Sequence, residues 1–208
     1  MEHFIITIAR ETGSGGRNIA AKLSERLNIP FYDRDLLRLA SDVSGIREGL
    51  FGESDEHIGK LEMMTAAKKI YSGEVLPPDD DDFISTKNLF EFQAKVIKEL
   101  ASSSGSCIIV GRCADYLLAG RTDVLRVFIH APLEKRKKKV AYFSLAWSDK
   151  EIARYISKED KRRAEYYRYY TGNDWRDAAH FDISLDSSEL GEDGCVDTIE
   201  KAIPLFIR

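Results

Sequence analysis

Residues 4–27 read FIITIARETGSGGRNIAAKLSERL. An apolar β-type run from Phe4 to Ala9 leads into Gly13-Ser14-Gly15-Gly16, after which Ile19, Ala20, Leu23 and Leu27 recur at the spacing of one helix face. The pattern predicts strand, glycine turn, helix. Glycines let backbone N–H groups converge on an anion, and the helix start adds the positive end of its dipole, so a phosphate is the expected occupant. The turn departs from G-x-x-x-x-G-K-S/T. With Gly15 as the second glycine, Arg10 stands at the first glycine position, Gly16 at the lysine and Arg17 at the Ser/Thr. Two readings are open: a flexible turn ahead of a surface helix, or a phosphate loop whose cation has moved to Arg17.

The 208 residues suit one α/β domain with an elaboration, and 43% hydrophobic content supplies a substantial core. A net charge of -4 and a pI near 5.7 argue against nucleic acid as the main partner. The opening Met-Glu-His has no basic leader and the longest apolar runs are strand length, so a cytoplasmic protein without a membrane partner is expected. Cys107, Cys113 and Cys195 form no CxxC, which speaks against a disulfide framework or a zinc site and for small buried residues.

Beyond the first helix, Asn28 to Tyr32 reads as a short strand ending at Asp33-Arg34-Asp35. Asp33 is expected either to cap the helix Leu36–Ala40 or to carry charge at the ligand edge of a parallel sheet. Residues 42–104 read as a helical insert, with a helix over Glu56–Tyr71, a solvated loop containing Asp79 to Asp82, and a helix capped by Ser85 or Thr86 that runs to Leu100. Cys107 to Val110 is a buried parallel-type strand that ends in Gly111-Arg112, where an arginine serves as helix-start surface or as a phosphate clamp. Val124 to His130 is a fourth strand, with His130 read as structural. The helix from Pro132, carrying Lys135, Arg136, Lys137, Lys138 and Lys139, is read as a solvated basic face. Ser148 to Glu151 is a capping box opening a helix to about Tyr170, followed by Gly172-Asn173 as a joint. That helix is either an exposed ion-paired element or a hinged segment bringing arginines over a phosphate. Phe181 to Asp186 reads as the fifth strand and Cys195 to Ile207 as the closing helix.

Taken in order, ITIARETGSGGRNIAAKL, IPFYDRDLL, IIVGRCADYLL, DKRRAEYYRYYTGNDW and FDISLDSS resemble the cytidylate kinase-like family of P-loop nucleoside monophosphate kinases over nearly the whole chain. Gly16, Arg17 and Val110 depart from the pattern of cytidylate kinases. The resemblance implies a three-layer α/β P-loop kinase fold with a five-stranded parallel sheet, an acceptor-binding insert at 42–104 and an arginine-bearing lid at 148–176. It also implies ATP and Mg²⁺ as cofactors, and a small-molecule acceptor, with CMP or dCMP the first expectation. By that likeness, amides of Gly13, Ser14, Gly15 and Gly16 hold the donor phosphate, with Arg17 supplying charge and Ser14 or Asn18 nearest the metal. Asp33, Arg34 and Arg112 meet the acceptor, and Arg163 and Arg168 the group in transfer. No side chain is assigned as a direct metal ligand. A nucleotide-binding regulatory module without turnover and a kinase of a non-nucleotide metabolite are the alternative readings.

Overall fold

The strands are built from residues that tolerate burial on both faces. β1 (Ile5–Arg10) and β3 (Cys107–Val110) are almost wholly enclosed, as expected of parallel strands covered by helices above and below. With β2 (Phe31–Tyr32), β4 (Val124–His130) and β5 (Ile183–Asp186) they form one sheet in the order β2-β3-β1-β4-β5. Every pairing is parallel, and β1 is central: Ile8 lies beside Val110 on one side and Val127 on the other. The computed structural model describes residues 3–56, 73–103 and 105–207, with the side chains of 53–56 left aside.

The two faces of β1 carry the two main cores. Ile6 and Ile8 pack with Ile19 and Leu23 of α1 (Gly16–Leu27) and with Cys195, Ile199 and Ile203 of the C-terminal helix. Ile5 faces the other way, toward Leu36 of α2 (Asp35–Ser44), Phe51 of α3 (Glu48–Glu56) and Leu89 and Ile97 of α4 (Thr86–Ser102). α4 is capped by Ser85, whose hydroxyl accepts from the Asn88 N–H. Short α5 (Ala114–Leu117) follows β3, and α6 (Leu133–Phe143) follows β4. The capping box at Ser148 and Glu151 opens α7 (Asp149–Thr171). A third cluster, in which Phe90, Phe128, Trp175 and Phe181 meet Tyr166, Tyr167 and Tyr170, fastens the second half of α7 to the body.

Several boundaries differ from the sequence reading. Asp33 does not cap α2: Arg34 occupies the N-cap without a side-chain bond, because the Asp33 carboxylate is drawn to Arg10 and Arg17. β5 begins at Ile183, since 178–180 form a 3-10 turn capped by Asp177. The last helix, α8 (Ser187–Phe206), starts directly after β5 and kinks at Gly191, whose φ of 67° interrupts it. The helix expected over Glu56–Tyr71 lies outside the described residues except for Glu56, which ends α3. The three cysteines are free and buried, and the Asp79–Asp82 loop is exposed. Among the described residues no helix is long and apolar enough to cross a membrane.

Candidate active site

At the carboxyl edge of the sheet, a cavity of about 530 Å³ lies between the glycine turn, the end of β3, and helices α6 and α7. Gly13 and Gly15 have φ of 80° and 85°, values that a side chain would strain. These two left-handed residues fold the chain back into the start of α1, where the first-turn N–H groups have no partner within the helix. A β-carbon at Gly13 would lie 2.8 Å from the Arg136 carbonyl oxygen, so α6 backs the turn closely. Ser14, expected among the phosphate-binding residues, is turned inward. Its N–H and hydroxyl both donate to the Glu11 carbonyl at 3.2 and 2.9 Å, its own carbonyl accepts from the Ser187 hydroxyl, and it is absent from the cavity wall.

The departures from the usual phosphate loop are physically linked. Arg10, at the first glycine position, fills space beside Gly16: a β-carbon at 16 would meet the Arg10 Cβ at 2.6 Å. A lysine there is excluded by the arginine six residues earlier. The Arg10 guanidinium then passes so close to Gly111 that a methyl group at 111 would collide with it, and donates to Asp33 at 3.2 Å. Arg17 reaches the other Asp33 oxygen at 3.1 Å while its side chain stays 65% exposed.

Gly111, Arg112 and Cys113 all have positive φ (77°, 59° and 55°). Backbone strain of this kind, on the order of 1–3 kcal/mol per non-glycine residue, persists only where the surroundings enforce it, and it aims Arg112 into the cavity. Arg112 and Tyr166 both line the cavity, and burial lowers the Arg112 pKa. Arg162 and Arg163 enter from α7. Arg162 donates to Glu159 at 2.9 Å, and Arg163 to the Thr12 hydroxyl at 2.6 Å. Burial, then the neighbouring Arg163, Arg112 and Arg162 outweighing Asp33, pulls Arg10 down to about 9, still cationic at neutral pH. Burial likewise lowers Arg163 despite Asp160 and Glu159.

A buried junction fixes α7 to the turn. Asp160, with a side chain 7% exposed, accepts from the Thr12 N–H (2.8 Å), Arg136 (2.6 Å) and Arg176 (3.4 Å). Further along α7, Tyr167 donates to Asp115 at 2.6 Å, Tyr170 donates to the Thr86 carbonyl at 3.1 Å, and the Tyr170 ring stacks on Phe90. Gly172, expected as a hinge, is the left-handed cap of a helix end already anchored by these contacts.

Of the residues singled out from the sequence, the cavity wall brings together Gly13, Gly15, Gly16, Arg17, Asn18, Asp33, Arg34, Arg112 and Arg163. Arg168 is not brought there. It sits five residues past Arg163, roughly 140° around a 3.6-residue helix, and is exposed. Sequence reasoning kept Arg10 only as a reserve cation behind Arg17, and it passed over Arg162 and, from the run read as a solvated face, Lys139. Within that run Arg136 is buried and Lys139 borders the cavity. Their i,i+3 spacing just after a sheet strand was the available signal.

A parallel sheet whose central strand runs into this turn, with arginines converging across the strand ends, is the architecture of P-loop kinases. The chain belongs to the cytidylate kinase-like family, whose model matches residues 5–189. A cytidylate kinase of Sulfolobus acidocaldarius is 27% identical over 194 residues, covering 93% of this chain and 91% of that protein. One from Methanosarcina mazei is 29% identical over 111 residues, 53% of this chain, and the match spans only 61% of that relative's length. Among solved structures, an uncharacterized protein from Eubacterium ventriosum superposes with a TM-score of 0.71 at 26% identity, covering 97% of this chain and 99% of that one. A shikimate kinase from Bacteroides thetaiotaomicron, at TM-score 0.54 and 14% identity over 97% of this chain and 98% of that one, shares the fold.

Proposed function

We propose that this chain transfers a phosphoryl group from ATP to a nucleoside monophosphate, with CMP or dCMP as the acceptor. The observation that carries the reading is the convergence of Arg10, Arg112, Arg162 and Arg163 on a cavity that ends at the glycine turn. Packing guanidinium groups this closely is unfavourable until an anion separates them; burial first, and then the neighbouring arginines, lower the Arg10 pKa. Phosphoryl transfer needs alignment of two phosphates and neutralisation of charge spread over the group in flight, which amides and arginines provide.

The division of labour follows the placement. Amides of Gly13, Gly15 and Gly16 and the first turn of α1 receive the donor phosphates. Arg112, on its strained turn, and Arg34 face the acceptor. Asp33 holds Arg10 and Arg17 in place, leaving Arg162 and Arg163 to meet the transferring group from the α7 side. An acceptor phosphate is already ionised, so no dedicated base is required. Residues 42–104 are the acceptor-side insert and 148–176 the lid, whose helix is held at its middle by Asp160 and beyond it by the tyrosines.

The glycine turn fits a phosphate chain, since left-handed backbone at Gly13 and Gly15 opens the cradle. Mg²⁺ would neutralise the donor phosphates. Among the described residues no group of three or more acidic, histidine or cysteine side chains stands ready to hold a cation, and Ser14 and Asn18 are engaged by Glu11 and Glu192. The ion would therefore be held by phosphate oxygens and water, a common arrangement for Mg²⁺. The test is a matrix of nucleoside triphosphates against nucleoside monophosphates and small hydroxylated acceptors, read by diphosphate formation. ATP with CMP or dCMP is expected to give turnover. ATP bound without consumption by any acceptor would overturn the proposal.

A further inference from the structure

The loop has lost its lysine, yet an amine stands over it. Lys139 projects from α6 one turn beyond Arg136, and its Nζ occupies the face of Gly15 that has no side chain. A methyl group there would collide with it. The same point lies 3.1 Å from Glu192 Oε1, the partner of the amine. Glu192 is set beside the loop by the kink at Gly191, and it also accepts from Asn18 (3.1 Å) and pairs with Lys22 (3.4 Å), one turn apart on α1. Burial alone would raise the Glu192 carboxyl, but bonds from Lys139, Asn18 and Lys22 hold it below its ordinary value. Arg17, the sequence candidate for the missing charge, is drawn to Asp33.

We infer that Lys139 is the cation that meets the donor phosphates at Gly15, replacing a loop lysine from a different element, and that Glu192 parks its amine there until an anion takes over. The inference rests on the phosphotransferase reading for its catalytic part, though not for its binding part. Arg10 excludes a side chain at position 16, so a cation for this end of the loop has to come from outside the loop. α6, whose Arg136 carbonyl already backs Gly13, is the element close enough to supply it. An arriving phosphate offers the amine a second negative partner, and the carboxylate left behind keeps Asn18 and Lys22. The exchange leaves no buried charge stranded.

The experiment measures binding of inorganic tripolyphosphate by calorimetry to the full chain and to Lys139→Met, Lys139→Arg and Glu192→Gln, with thermal denaturation as the folding control. The Lys139 side chain is about a third exposed, so Lys139→Met should fold normally. It is expected to lose about tenfold or more in affinity, with Lys139→Arg retaining most of it. Glu192→Gln should bind as tightly or more tightly, since the competing carboxylate charge is gone. In the turnover assay Lys139→Met should lose roughly 10² to 10³ in kcat. Tripolyphosphate affinity in Lys139→Met within about twofold of wild type, or no binding by wild type, overturns the inference. Lys139-dependent binding in a chain that consumes ATP with no acceptor would leave this inference standing and remove the proposed function instead.

Discussion

Replacing Asp160 with alanine removes the carboxylate that joins the glycine turn, α6 and the middle of α7. Its partners are the Thr12 N–H at 2.8 Å and Arg136 at 2.6 Å, with Arg176 at 3.4 Å and Arg163 at 3.8 Å. Removing one member of a buried ion pair costs on the order of 3–5 kcal/mol, because the other charge is stranded. Arg136 keeps Glu11 at 3.3 Å and the carbonyls of Ala131 and Thr12. Arg176 is half exposed and contributes little. The expectation is therefore the lower end, about 3 kcal/mol, or roughly 6–12 °C in Tm for a chain of this size. Asp160→Asn retains an acceptor for Thr12 but turns an amide toward Arg136, for about 2 kcal/mol. Urea denaturation gives the stability, and steady-state transfer gives the accompanying loss as the turn relaxes. An alanine variant within about 1 kcal/mol of wild type, with unchanged turnover, would refute the view that this junction fixes the site.

Arg163→Ala is expected to lower kcat by roughly 10² to 10³, while exposed Arg168→Ala stays within about twofold, measured side by side with ATP and the best acceptor. Arg17→Ala should lose less than about tenfold in kcat, far less than Lys139→Met; equal losses would put both cations on the donor. Gly111→Ala is predicted to displace Arg10 and strain a left-handed turn, at about 1–2 kcal/mol of stability, with weaker acceptor binding read by calorimetry. Arg10 releases its proton near pH 9 in the folded chain and much higher when unfolded. Between those values the unfolded chain holds more protons, so this group's share of stability rises with pH. Phosphate affinity should fall as pH rises through about 9 and the folded-state cation is lost, and a flat tripolyphosphate titration from about pH 8 to about pH 10 would contradict this assignment.

The strands were legible because each is a short apolar run between turn residues, and parallel burial makes IITIA and CIIV unmistakable. The capping box at Ser148 was equally plain, since its bonds are local. The cation at the loop was not legible. Lys139 lies in a run of basic residues in which only the packing of α6 against Gly13 selects two to face inward. Asp33 looked like a cap because it precedes a helix, but two arginines compete for the same carboxylate. The short reach of β2 and the early start of α8 were hidden for a similar reason: sheet pairing and a single left-handed glycine decide them, and neither leaves a periodic trace.

In the proposed function, the arginines and the glycine turn together carry a phosphoryl group between two nucleotides. ³¹P NMR of wild-type protein with ATP, Mg²⁺ and CMP tests it most directly, because donor and product phosphates are resolved in one sample. Matched appearance of ADP and CDP resonances is expected, slowed by roughly 10² or more in Arg112→Ala and Arg163→Ala. ATP signals that persist unchanged with CMP, dCMP and the other monophosphates present would contradict it.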